Sequence, residues 1–101
     1  MAEVTVIAQI KTKEGMEEKV CAALLKLVAP TRSEKGCIVY DLYQSADSKS
    51  LFMFCERWKS KKDLDEHLQK PHIRAFVERA GEMLAEPLNV SLWEMLSKRE
   101  K

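Results

Sequence analysis

The chain predicts an α+β sandwich with its elements in the order β-α-β-β-α-β. Four short segments, residues 3–12, 37–44, 51–58 and 88–96, are rich in β-branched and aromatic side chains and patterned as strands. The stretches after the first and third of these repeat apolar residues at three and four positions, the period of a helix that buries one stripe. Turn residues fall where the pattern changes, at Gly15, Gly36, the polar run 45–50 and Pro87.

Taken in order, residues 3–12 (EVTVIAQIKT) alternate as a strand, and Lys13-Glu14-Gly15 turns the chain. Met16, Val20, Ala23, Leu24 and Leu27 then form the stripe of an amphipathic helix. Pro30 interrupts that helix or opens a short second turn. Gly36 releases the chain into the second strand (CIVYDLYQ), and residues 45–50 read as the hairpin loop leading to the third (LFMFCERW). Ser60, with Asp63 three positions later, is a capping pair for a helix carrying Leu64 and Leu68 inward. That helix must break near Pro71, because proline suits the first position of a new helix. The next stripe is Ile73, Phe76, Val77, Ala80 and Leu84; Pro87 ends it, and residues 88–96 form the last strand. This order is the split βαβ, ferredoxin-like arrangement, with four antiparallel strands and the helices on one face.

At 101 residues the chain is expected to be one domain, with residues 98–101 as a flexible tail. Seventeen basic against sixteen acidic residues, net +1, offer no electrostatic case for nucleic acid. Neither a signal peptide nor a membrane span is expected. Cys21, Cys37 and Cys55 are odd in number and widely spaced, which suits small buried hydrophobes in a reducing cytoplasm rather than disulfides or zinc ligands. The three glycines are scattered, so no phosphate loop is present.

Both faces of the strands are apolar. Leu51, Met53 and Cys55 oppose Phe52, Phe54 and Trp58, and Leu88, Val90 and Leu92 oppose Trp93 and Met95. Water is a poor cover for such a surface, and a second copy packed sheet against sheet is the expected one.

The chemistry concentrates on His67 and His72, the chain's two histidines, whose side chains exchange protons near neutrality. Glu56 and Trp58 share a strand face with Phe52 and Phe54, and a carboxylate there is costly unless it is paired; a cross-sheet or cross-dimer Lys or Arg is the ordinary solution. His67 sits at the edge of the Leu64/Leu68 stripe and His72 at the edge of the Ile73/Phe76/Ala80 stripe, positions that suit either solvent or a pocket rim. Spacing supplies no third His, Cys or carboxylate, so no metal is expected. Tyr40 and Tyr43 lie on opposite faces of the second strand, and one of them has a phenol to offer a pocket.

The run Glu56-x-Trp58, His67, Pro71-His72-Ile73-x-Ala75-Phe76, preceded by Glu34-Lys35-Gly36-Cys37, resembles the antibiotic biosynthesis monooxygenase family, in particular its small quinol monooxygenase-like proteins. The resemblance spans nearly the whole chain. It implies a ferredoxin-like homodimer whose sheets form a shared α+β barrel, with a pocket between each sheet and its own helices. It further implies oxidation of a quinol or other reduced aromatic molecule by O2 with no metal, flavin or other cofactor. On that chemistry, His67 or His72 serves as the base or orienting donor, and Glu56 orients an imidazole or braces the dimer. Trp58, Phe54 and Phe76 shape an aromatic slot, with Tyr40 as a further substrate contact. A haem-degrading branch places its key residues at the positions of Gln9, His67 and Val77; the iron ligand is missing, so haem oxygenation is not expected. A branch isomerising phosphorylated signal sugars shares the Glu…His…Pro-His pattern, which leaves a proton-transferring isomerase or a non-catalytic small-molecule-binding dimer as alternatives.

Overall fold

In the computed structural model, which describes residues 3–97, the chain folds as β1 (Val4–Lys11), α1 (Glu17–Leu25), α2 (Val28–Arg32), β2 (Cys37–Gln44), β3 (Leu51–Trp58), α3 (Lys61–His67), α4 (Pro71–Met83) and β4 (Asn89–Trp93). The strands form one antiparallel sheet in the order β2-β3-β1-β4. This is the ferredoxin-like α+β architecture that the element order predicts. The tail expected at 98–101 lies outside the described residues. No helix among the described residues is long and apolar enough to cross a membrane.

The alternation of β3 sets up everything that follows. Phe52, Phe54, Glu56 and Trp58 are buried, while Leu51, Met53, Cys55 and Arg57 are half-buried on the opposite face. Register extends the buried face across the sheet, because Val6 pairs with Glu56 and Ala8 with Phe54. Val20 and Leu24 of α1, Leu64 of α3, and Ile73 and Phe76 of α4 close over it to make the core. The β4 pairings Leu92–Val6 and Val90–Ala8 place these two side chains on the same side. Both stay nearly half exposed at the sheet edge.

Several helical details differ from the pattern read in the sequence. The first stripe is divided between two helices: Met16 precedes α1, and Leu27 sits at the junction with α2. Pro30 is the third residue of α2, where a missing N–H has no intrahelical acceptor to lose. In α3 the buried pair is Leu64 and His67; Leu68 is the C-cap and 46% exposed. Val77 of α4 likewise faces outward at 50% exposure, and Met83 takes the inner position. Leu84 is buried just past the helix, in an isolated bridge with Thr12. The last strand is shorter than expected, with Met95 and Leu96 exposed beyond it.

Pro71 occupies the first turn of α4, as its chemistry favours. The Ser60 hydroxyl accepts the Asp63 backbone N–H at 3.2 Å and donates to the Asp63 carboxylate at 2.9 Å, so the α3 cap forms as read. Gly36 is buried against the same Asp63, and a Cβ there would run into its side chain. Gly36→Ala is therefore expected to destabilise by about 1–3 kcal/mol through overpacking and loss of the cap. A lowered urea midpoint at unchanged slope would register this; an unchanged midpoint would show that Asp63 moves aside freely.

Candidate active site

Three elements bring one carboxylate and two imidazoles together. The Arg32 side chain at the end of α2 donates to the Tyr40 carbonyl at 3.1 Å and pairs with Asp41 at 2.9 Å. These contacts tie α2 to β2. The turn between them is closed by Glu34 N–H to the Thr31 carbonyl at 3.0 Å and Cys37 N–H to the Glu34 carbonyl at 3.2 Å, which fixes Glu34 beside the sheet. The capped α3 delivers His67 in its last turn, and α4 presents His72 immediately after Pro71. Glu34 Oε2 lies 2.9 Å from His67 Nδ1 and 3.1 Å from His72 Nε2, and Thr31 Oγ1 is 3.1 Å from that same His72 nitrogen.

The role of orienting an imidazole, read for Glu56, falls in the structure to Glu34. Glu56 instead accepts the indole N–H of Trp58 on Oε1 at 2.9 Å, and it makes no ion pair among the described residues. Burial pushes the Glu56 carboxyl up to about 7, opposed by the Trp58 hydrogen bond and reinforced by the charge of Glu34. Burial also pushes His67 down, opposed by its hydrogen bond to the Glu34 carboxylate. The Cys37 thiol is raised to about 11, chiefly by burial, which leaves it unreactive.

Between the sheet and the helices lies a cavity of about 70 Å³. Tyr40, Phe54, Glu56, His67 and Phe76 line it together with aliphatic side chains, and no Lys or Arg among the described residues does. Tyr40 stacks on Phe54 with ring centroids 4.5 Å apart and meets His67 edge-on at 5.6 Å. Leu68, Val77 and Val90, each about half exposed, form the outer part of the lining. With Nδ1 turned to Glu34, His67 has Nε2 left for a group bound in this cavity.

Two sequence-predicted residues lie elsewhere. Trp58 is fully buried behind the His67 ring, at a centroid distance of 4.5 Å, so it supports the imidazole from behind rather than forming a wall of the slot. His72 is absent from the cavity lining. It opens on a wider groove between α1 and α4, about 440 Å³, alongside Met16, Lys19 and Arg79. The two imidazoles thus converge on the same Glu34 oxygen, with centroids 6.3 Å apart, but only His67 reaches the cavity. Sequence reasoning missed the roles of Glu34 and Thr31. Glu34 belongs to the run that carries the family resemblance, but it precedes His67 by 33 positions in a turn with no periodicity to announce it.

A family profile described as antibiotic biosynthesis monooxygenase matches residues 3–79. The chain is 39% identical over 89 residues to a Mycobacterium tuberculosis protein that carries a provisional monooxygenase name, covering 88% of this chain and 87% of that one. The solved structure of that protein superimposes with a TM-score of 0.91 at 34% identity, over 98% of this chain and 100% of the other. An Escherichia coli protein provisionally named a quinol monooxygenase is 34% identical over 85 residues, 73% of this chain and 81% of its own. An uncharacterized Synechocystis protein is 33% identical over 92 residues, which span 91% of this chain and 63% of that longer protein.

Proposed function

Because the chain belongs to the antibiotic biosynthesis monooxygenase family, we propose that it oxidises a small quinol-like or reduced aromatic molecule with O2, using His67 as the general base and no bound cofactor. The observation that carries this reading is the 2.9 Å contact of Glu34 Oε2 with His67 Nδ1, beside an apolar, aromatic-lined cavity. A carboxylate on Nδ1 holds the proton there and keeps the lone pair on Nε2, the arrangement that makes an imidazole a directed base. Nε2 takes the proton of a substrate hydroxyl, and the electron-rich anion that results can give an electron to O2. One oxygen atom replaces a ring hydrogen as a hydroxyl, and the substrate's own oxidation to the quinone supplies the two electrons and two protons with which the other leaves as water. An apolar cavity favours this chemistry by keeping water from the anion.

Size narrows the substrate. At about 70 Å³ the cavity is far below the ~300–1,000 Å³ usual for ligand sites, so a polycyclic ring does not fit it. A single ring, admitted by movement of Leu68 and Val77, is the better match. Among the described residues the lining has no Lys or Arg to hold a phosphate, which counts against a phosphorylated sugar. Oxygen-electrode traces on chelator-treated protein with one-ring and polycyclic hydroquinones test the proposal. Saturable uptake with one-ring compounds is expected. Ligand binding without oxygen consumption would instead identify a binding module.

A homodimer belongs to the same reading. Tyr43 and Trp93 are 51% and 59% exposed on the sheet face away from the helices, and a second copy packed there would cover them. Sedimentation at micromolar concentration is expected to give twice the 11.6 kDa chain mass. A stable monomer would rule that cover out.

A further inference from the structure

We propose that Glu34, His67 and His72 form a binding site for one divalent transition-metal ion, with Zn²⁺ as its representative. One carboxylate oxygen and two imidazole nitrogens, supplied by a turn, α3 and α4, all lie within 4.8 Å of one another. The oxygen-to-nitrogen separations of 2.9 and 3.1 Å match ligand atoms held at near right angles on bonds of ~2.1 Å. A tetrahedral site would need these two separations to widen by a few tenths of an ångström, to ~3.4 Å. The donors are two nitrogens and one oxygen, a set that suits zinc, copper, nickel or ferrous iron and gives magnesium and calcium little.

Burial makes a cation appropriate here. The side chains of Glu34 and His67 are 7% and 4% exposed, and no Lys or Arg pairs with Glu34 among the described residues. Two imidazoles satisfy its hydrogen bonding, and a carboxylate buried with no Lys or Arg beside it among the described residues is suited to a metal cation. His72 is 23% exposed and borders the groove between α1 and α4, which gives an ion its way in. Thr31 Oγ1, beside the His72 nitrogen, is placed to hydrogen-bond a water completing the coordination.

The site does not depend on the oxygenase reading, and it constrains it. Metal on Nδ1 of His67 leaves the ring proton on Nε2, so a loaded site and a working His67 base are alternatives. Calorimetric titration of the intact, chelator-treated protein with ZnCl2 is expected to show one ion per chain at micromolar affinity or tighter, with no comparable signal from MgCl2. Glu34→Gln and His72→Ala, each checked by circular dichroism for retained fold, are expected to weaken binding by about 100-fold or more, while Cys37→Ser leaves it unchanged. Co²⁺ in place of Zn²⁺ should give ligand-field bands without thiolate charge transfer. Absence of stoichiometric binding, undiminished binding in His72→Ala, or a thiolate band would each overturn the proposal. None of these results touches the oxygen-uptake test.

Discussion

His67→Gln is expected to lose about 10²–10⁴-fold in kcat/KM for oxygen uptake, the range a positioned general base contributes. Glutamine keeps much of the volume, which matters because the His67 ring is packed between Trp58 and Tyr40. His67→Ala would also open a void and cost stability by itself. Glu34→Gln is expected to fall into the same range for a different reason. Its amide can offer a donor to Nδ1, which favours the tautomer with the proton on Nε2 and so removes the lone pair from the cavity side. His72→Ala should lose about tenfold or less, since His72 shares the Glu34 oxygen with His67 but does not line the cavity. Equal losses at His67 and His72 would mean that both imidazoles handle the substrate proton. Full activity in His67→Gln would remove the base from the mechanism. All four proteins should be assayed in chelator, so that metal on Glu34 does not enter the comparison.

The readings that held rest on rigid periodicities. A strand turns its side chains over at every residue, so Phe54, Glu56 and Trp58 on one face followed from β3 alone. Ser60 and Asp63, and Pro71 at a helix start, are local chemistry whose geometry is complete within a few residues. The misreadings came from what a helix edge leaves open. Leu68 fits the stripe begun at Leu64 as well as His67 does; α3 ends at His67, and it is the imidazole that enters the core. Glu34 sits in a turn whose direction depends on Arg32 reaching β2 and on Gly36 fitting under Asp63, contacts with no signature in spacing. Trp58 was readable as buried, but not as the residue behind His67 rather than a wall of the slot. That distinction follows from how α3 docks on β3.

Glu56→Gln is expected to be more stable than the natural protein above neutrality, by about 3 kcal/mol, with the difference vanishing in acid. In the fold the Glu56 carboxyl is raised from 4.5 to about 7, mainly because it is buried beside Trp58. The unfolded chain therefore loses this proton at lower pH than the native protein does. Between those two values stability falls as pH rises, because the unfolded state binds fewer protons. Above the folded value the penalty is complete and level. A difference of about 2.5 pKa units at ~1.4 kcal/mol per unit gives the size of the effect. Glutamine carries no charge at any pH, and its carbonyl can still accept the Trp58 N–H. Urea unfolding of both proteins at about pH 4, 6 and 8 should show the curves diverging as pH rises. Parallel curves would mean that water reaches Glu56 and that it titrates as an ordinary carboxylate. The same shift gives Glu56 a chemical use, because a carboxyl that keeps its proton to about 7 can donate a hydrogen bond to a substrate oxygen that becomes negative when His67 takes its proton. Glu56→Gln retains a donor in its amide and should keep most of the oxygen uptake, whereas Glu56→Ala should not. Trp58→Phe, which removes the indole N–H and leaves the Glu56 carboxyl, should keep most of the uptake if Glu56 acts as the donor and lose it if Glu56 only supports Trp58.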